Sequence, residues 1–136
     1  MTTLNKPLVL IAEDDGNILI SLDFLLSNAG YRLITAAHGD AALAALATLT
    51  QEPPALVVLD VMLPAVDGLE ICKRIRADPA YANTRVLMLS ARGRESEIAA
   101  GLKLGSDAYM TKPFATRALL AKVSDLLTAQ QPGGSA

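Results

Sequence analysis

The sequence predicts one α/β domain, an open doubly wound parallel sheet of five strands with helices on both faces. Three observations carry this. Short β-rich runs alternate five times with longer segments of helical period. The runs LVLIA and ALVVL show no polar alternation, the mark of strands covered on both faces. At 136 residues the chain has the length of a single domain.

The elements follow in order. Residues 8–12 form the first strand. The next helix carries Ile18, Leu19, Leu22, Leu25 and Leu26 as one apolar stripe, and Gly30 sits where a C-terminal glycine cap belongs. Residues 31–37 read as the second strand and the alanine-rich 40–49 as the second helix. Pro53 and Pro54 bar any helix before the third strand at 55–59. The third helix, 67–77, places Ile71 and Ile75 one turn apart and closes at Asp78-Pro79. Strand four spans 85–90. Helix four spans 95–104, with a thin stripe of Ile98 and Leu102, Gly101 in its interior and Gly105 as its stop. Strand five is 108–111. A last helix over 116–129 shows Leu119, Leu120, Val123, Leu126 and Leu127 on one side. The tail 130–136, QPGGSA preceded by a glutamine, reads as flexible.

Composition narrows the function. With 51% hydrophobic and 19% charged residues the chain is apolar enough for a core. A net charge of -2 without a run of Lys or Arg disfavours direct nucleic-acid binding. The single cysteine, Cys72, reads as a buried helix residue and suits a reducing compartment. No apolar run approaches the ~18 residues a membrane span requires. The expectation is a soluble, cytoplasmic protein.

The informative residues stand at the carboxyl ends of the strands, where ligands bind in such sheets. Glu13 and Asp14 follow strand one, Asp60 strand three, Ser90 strand four and Lys112 strand five. A carboxylate closing a fully buried strand needs compensation. Three carboxylates at one rim call for a hard divalent cation, and all-oxygen ligation points to magnesium, with manganese as a substitute. No His or Cys accompanies them, which argues against zinc. Lys112 and Ser90 add a cation and a hydroxyl for anionic oxygens, leaving one carboxylate as a nucleophile for a phosphoryl group. Asp15 reads as a helix N-terminal residue, and His38 as a solvated loop residue without a role.

In IAEDD, LDVMLPAVDG, LSAR and AYMTKPF, in this order, the chain resembles the receiver domain of two-component response regulators. The resemblance covers residues 8–129, taken as one domain over 1–129. It implies strand order 2-1-3-4-5, with two helices on one face and three on the other. It makes Asp60 the phosphoacceptor and assigns Asp14, Asp60 and the Met62 backbone carbonyl to magnesium, with Glu13 acting through water. Lys112 would pair with the phosphoryl group, before a Pro113 that follows a cis peptide in the family. Ser90 would be the switch hydroxyl and Tyr109 the aromatic turning inward with it. Met62 and Arg92, two residues beyond Asp60 and Ser90, would tune dephosphorylation by blocking water.

The resemblance further implies a bacterial signalling domain that catalyses only its own phosphorylation and dephosphorylation. A sensor histidine kinase or histidine phosphotransfer protein would donate, and the face of helix four, strand five and helix five would control an unnamed effector. A stand-alone receiver is expected, with a piece of a longer regulator as the open alternative; it would be monomeric or weakly dimeric, with Asp107 and Lys122 as remnants of a dimer ion pair. A phosphohydrolase with an aspartate nucleophile would need an acid where Met62 stands. A flavin carrier would need a phosphate loop where EDDGN would repel one.

Overall fold

The computed structural model describes residues 6–91 and 95–128. Five strands, β1 (Leu8–Ala12), β2 (Arg32–Ala36), β3 (Leu56–Asp60), β4 (Arg85–Ala91) and β5 (Ala108–Lys112), form one sheet in the order β2-β1-β3-β4-β5. All four pairings are parallel. The helices are α1 (Gly16–Asn28), α2 (Gly39–Ala47), α3 (Gly68–Ala77), α4 (Glu95–Lys103) and α5 (Thr116–Thr128). The order reverses between β1 and β3, so the rim above these strands is the crevice where such sheets bind ligands.

Alternation along the strands divides the core in two. Val9, Ile11, Val58 and Leu89 pack on one face with Leu22 and Leu26 of α1 and Leu119 and Val123 of α5. Leu10, Leu59 and Met88 face the other side, against Leu46 of α2 and Ile71 and Ile75 of α3. Gly101 of α4 approaches Met88 and Leu69 on that second side. The faces therefore carry two and three helices, as expected. Each buried Leu or Ile contributes about 1.5–3 kcal/mol relative to exposure, so the two faces clamp the strands and hold their polar ends in register.

Local chemistry sets the ends. Gly30 adopts φ 101° and closes α1, its N–H reaching the Ser27 carbonyl while Tyr31 N–H reaches that of Leu26. Asp15 caps α1 by accepting from the N–H groups of Asn17 at 2.9 Å and Ile18 at 3.2 Å. Asp67, expected inside the third helix, is its N-cap and accepts from Glu70 N at 2.9 Å.

Several boundaries differ from the sequence reading. The second strand is shorter by a residue at each end. The second helix starts earlier and stops at Ala47, where the Thr48 hydroxyl bonds back to the Ala45 carbonyl at 2.8 Å. Asp60 is the last residue of β3, and β5 runs on to Lys112. A short 3₁₀ turn, Pro79–Tyr81, was not anticipated. Helix four departs most from expectation. Leu102 is 44% exposed and Gly101 is its buried residue, placed beside Met88 and Leu69. The tail 130–136 lies outside the described residues.

Candidate functional site

The polar residues at the strand ends converge. Glu13 follows β1 directly and is fully buried. Its backbone N–H continues the pairing toward β2 by donating to the Ala36 carbonyl at 3.0 Å. One side-chain oxygen, Oε2, accepts from Asp15 N at 3.0 Å. The other, Oε1, lies 2.8 Å from Lys112 Nζ as an ion pair, without a well-directed hydrogen bond. Asp60, 4% exposed, accepts from Met62 N through Oδ1 at 3.1 Å and faces Lys112 Nζ with Oδ2 at 3.1 Å. Lys112 thus bridges the two buried carboxylates from the end of β5.

The loop after β3 turns tightly to leave this space open. The Gly68 N–H donates to the Val61 carbonyl at 3.0 Å, and a Cβ at Gly68 would stand 2.4 Å from the Asp60 carbonyl oxygen. Any other residue would push α3 away from the strand that carries Asp60. Ala65 takes φ 71° in the same loop, a conformation unfavourable for a residue with a Cβ.

The electrostatics follow from burial. Desolvation pushes the Glu13 carboxyl above its ordinary value; the Lys112 ammonium and the Asp15 N–H oppose the rise, and the charge of Asp60 adds to it. Burial disfavours the charged form of Lys112 as well. There the close carboxylates of Glu13 and Asp60 prevail and hold its pKa above the ordinary lysine value.

Asp14 is exposed, beside this pair. One oxygen from each of Glu13, Asp14 and Asp60 lies within 4.8 Å of the others. Two buried carboxylates and one open to solvent, with no nitrogen or sulfur donor in the cluster, suit a hard divalent cation that keeps part of its water.

Ser90 is 1% exposed, next to Leu89, the register partner of Asp60. Its hydroxyl donates to Glu97 Oε1 at 3.1 Å. Tyr109 is 43% exposed. Met62 is 56% exposed. The peptide before Pro113 is cis. Arg92 lies outside the described residues. The rim thus gathers Glu13, Asp14, Asp60 and Lys112, with Ser90 on the strand beside Asp60.

The comparisons with known proteins agree with this geometry. The model of the response regulator receiver domain matches residues 9–124. The chain belongs to this family. It is 42% identical over 119 residues to the alkaline phosphatase synthesis transcriptional regulatory protein PhoP of Bacillus subtilis, covering 88% of this chain and 48% of that protein. It is 37% identical over 126 residues to the phosphate regulon transcriptional regulatory protein PhoB of Rhizobium meliloti, covering 93% and 54%. The chain spans about half the length of the curated relatives it matches. A putative response regulator from Chloroflexus aurantiacus superposes with a TM-score of 0.83 at 34% identity, over 91% of this chain and 99% of that one. The chemotaxis response regulator CheY4 of Vibrio cholerae gives 0.80 at 28% identity, over 90% and 99%. As a receiver domain, the chain is a signalling domain. Among the described residues no helix is long and apolar enough to cross a membrane.

Two pairings escaped the sequence reading, one beside Ser90 and one at the opposite end of the sheet, where β4 and β5 begin. Glu97 gave no signal, since an acid in a first helical turn is ordinary helix chemistry. Asp107, expected as a remnant of a dimer pair, is engaged within the chain. It meets Arg76 at 2.8 Å and Arg85 at 3.3 Å and accepts from Val86 N at 2.7 Å. Its carboxylate thus has three partners within the chain.

Proposed function

We propose that this receiver domain accepts a phosphoryl group on Asp60 from the phosphohistidine of a sensor kinase or phosphotransfer protein. The observation that carries this is a buried strand-end carboxylate held 3.1 Å from Lys112 Nζ, with two further acids at the same rim. An Asp60 oxygen attacks phosphorus as the P–N bond of the donor breaks, and the imidazole leaves with the bonding pair. Lys112 neutralises negative charge on the transferred group, and Ser90 supplies a hydroxyl proton to one of its oxygens. Asp14, Asp60 and the Met62 carbonyl would hold magnesium, or manganese in its place, with Glu13 behind water. The ion, when bound, supplies charge neutralisation for the in-line transfer.

The response is a shift of the face built by α4, β5 and α5. Tyr109 turns inward as Ser90 moves toward the phosphoryl group, and the exposed surface around Leu102 and Tyr109 changes shape for an effector. Hydrolysis of the acyl phosphate resets the domain, at a rate tuned by Met62 and Arg92. The domain acts in the cytoplasm, over residues 1–129 with 130–136 as a tail, as a monomer or a weak dimer strengthened by phosphorylation. It makes no direct contact with nucleic acid. A phosphohydrolase acting on external substrates is not favoured, because Met62 can neither give nor take a proton.

The test is labelling with a small acyl phosphate and magnesium. The wild-type chain should gain one acid-stable, base-labile phosphoryl group. Asp60→Asn should abolish it, and Asp14→Ala should weaken it strongly. A label mapped to Ser90 or another hydroxyl would overturn the mechanism.

A further inference from the structure

The hydroxyl of Ser90 is already engaged by a residue that the mechanism above does not use. Its Oγ donates to Glu97 Oε1 at 3.1 Å, with a longer 3.4 Å contact to the Ala91 carbonyl. Ser90 sits one residue beyond the register partner of Asp60 on the adjacent strand and is 1% exposed. Glu97 stands in the first turn of α4 and is half-buried. A hydroxyl carries a single proton. While that proton is given to the Glu97 carboxylate, it is not available to an oxygen of a phosphoryl group.

We propose that Glu97 is a latch for the resting state. It draws the Ser90 hydroxyl toward α4, and engagement of a phosphoryl group on Asp60 requires this bond to break. Two anions, the Glu97 carboxylate and the phosphoryl group, compete for one proton. The winner decides whether the start of α4 is tied to β4. This deepens the phosphoacceptor reading and rests on it.

The position of the latch gives it leverage. Gly101 is the buried residue of α4, and Leu102 is 44% exposed, so apolar packing holds this helix weakly. A charge-assisted hydrogen bond from its first turn to a buried strand residue is therefore a sizeable share of its attachment, alongside the other contacts of Glu97. Releasing it couples the chemistry at the rim to the α4 surface through a single side chain. Glu97 is a positioning residue: it acts on the phosphoryl site through Ser90.

The experiment measures beryllofluoride affinity in the presence of magnesium, by calorimetry or fluorine NMR, on the full chain. Amide hydrogen exchange over residues 95–103 is followed in parallel. Glu97→Ala should tighten beryllofluoride binding about tenfold, the lower end for loss of a hydrogen bond to a charged group that holds the resting state. It should also speed exchange in the first turn of α4 before beryllofluoride is added. Glu97→Gln, a neutral and weaker acceptor, should fall between. In a Ser90→Ala background, Glu97→Ala should change affinity by less than about twofold, since the bond is already absent. Unchanged affinity in the wild-type background, or an equal change in both backgrounds, overturns the latch while leaving the phosphoacceptor reading intact. Failure of the wild-type chain to bind beryllofluoride at all overturns that reading, and the latch with it.

Discussion

Replacing Lys112 by methionine removes a charge while keeping the length and apolar stem of the side chain, and so isolates the electrostatics of the site. Lys112 Nζ lies 2.8 Å from Glu13 and 3.1 Å from Asp60. At an effective dielectric of about 20, unit charges at those separations attract by about 6 and 5 kcal/mol before desolvation. Burial of all three groups returns much of that. Removing one partner of a buried pair still costs about 3–5 kcal/mol, because the remaining charge is left uncompensated. The Lys112 side chain is 20% exposed, so water supplies part of the loss and the lower end, about 3 kcal/mol, applies. For a domain of this size that corresponds to a fall in Tm of about 10 °C.

The pH dependence distinguishes this from lost packing. In the wild type, Lys112 has a pKa raised above 10.5, so its contribution is fully present below that value and fades as pH rises through the folded pKa. Glu13 is raised above 4.5, so stability falls as pH rises from 4.5 through its folded pKa, where the folded state holds more protons than the unfolded one. Without Lys112 one influence lowering the Glu13 pKa is gone, and that window extends upward. The deficit of Lys112→Met should therefore be largest near neutral pH and shrink as pH falls toward about 4.5, where Glu13 can be neutral. Urea unfolding followed by circular dichroism serves, since the chain has no Trp. An equal deficit at both pH values would refute the electrostatic account.

The same reasoning gives Glu13→Gln the opposite sign: removing a buried carboxylate whose ionised form is disfavoured should stabilise the chain by about 0.5–2 kcal/mol at neutral pH. Its urea midpoint should rise, while magnesium-dependent labelling falls. Ala65→Gly should raise stability by up to about 1 kcal/mol, since glycine accepts φ 71° freely but also loosens the unfolded chain; a lowered midpoint would show that the loop does not hold this conformation in solution. The Met62→Asn, Arg92→Glu double variant should lose its phosphoryl group faster, each tenfold corresponding to about 1.4 kcal/mol of barrier. The measurement is phosphoryl loss after donor removal, and equal lifetimes would leave the pair without this role.

The candidate site was legible because it contradicts its surroundings. Buried strands that close on carboxylates, in a chain whose parallel sheet aligns strand ends, leave few places for the acids except together. Asp60, Glu13 and Lys112 were each anomalous in sequence, and they prove to be each other's partners. Residues in ordinary contexts were not legible. Glu97 looks like any helix-start acid until β4 brings Ser90 within 3.1 Å. Arg76 and Asp107 lie 31 residues apart and pair only because α3 and the start of β5 meet beside β4. Ile20 and Phe24, by contrast, lie on the face of α1 opposite the stripe of Leu22 and Leu26, and are 70% and 66% exposed as that spacing requires.

Each of these contrasts has one physical origin. Burial makes the Glu13–Asp60–Lys112 cluster depend on its own internal charge balance, so adding or removing one charge is felt by every member. Glu97 lies on the other side of Ser90, where a weakly packed helix meets a well-packed strand. A negative group arriving on Asp60 then acts in both directions. It would draw on the positive charge of Lys112, which serves two carboxylates, and on the proposed latch it would compete for the Ser90 proton given to Glu97. Tight packing around β3 and β4 prevents the rim from absorbing that change by deformation. We expect the response to be channelled to α4, a helix whose buried residue is Gly101 and not a large apolar side chain.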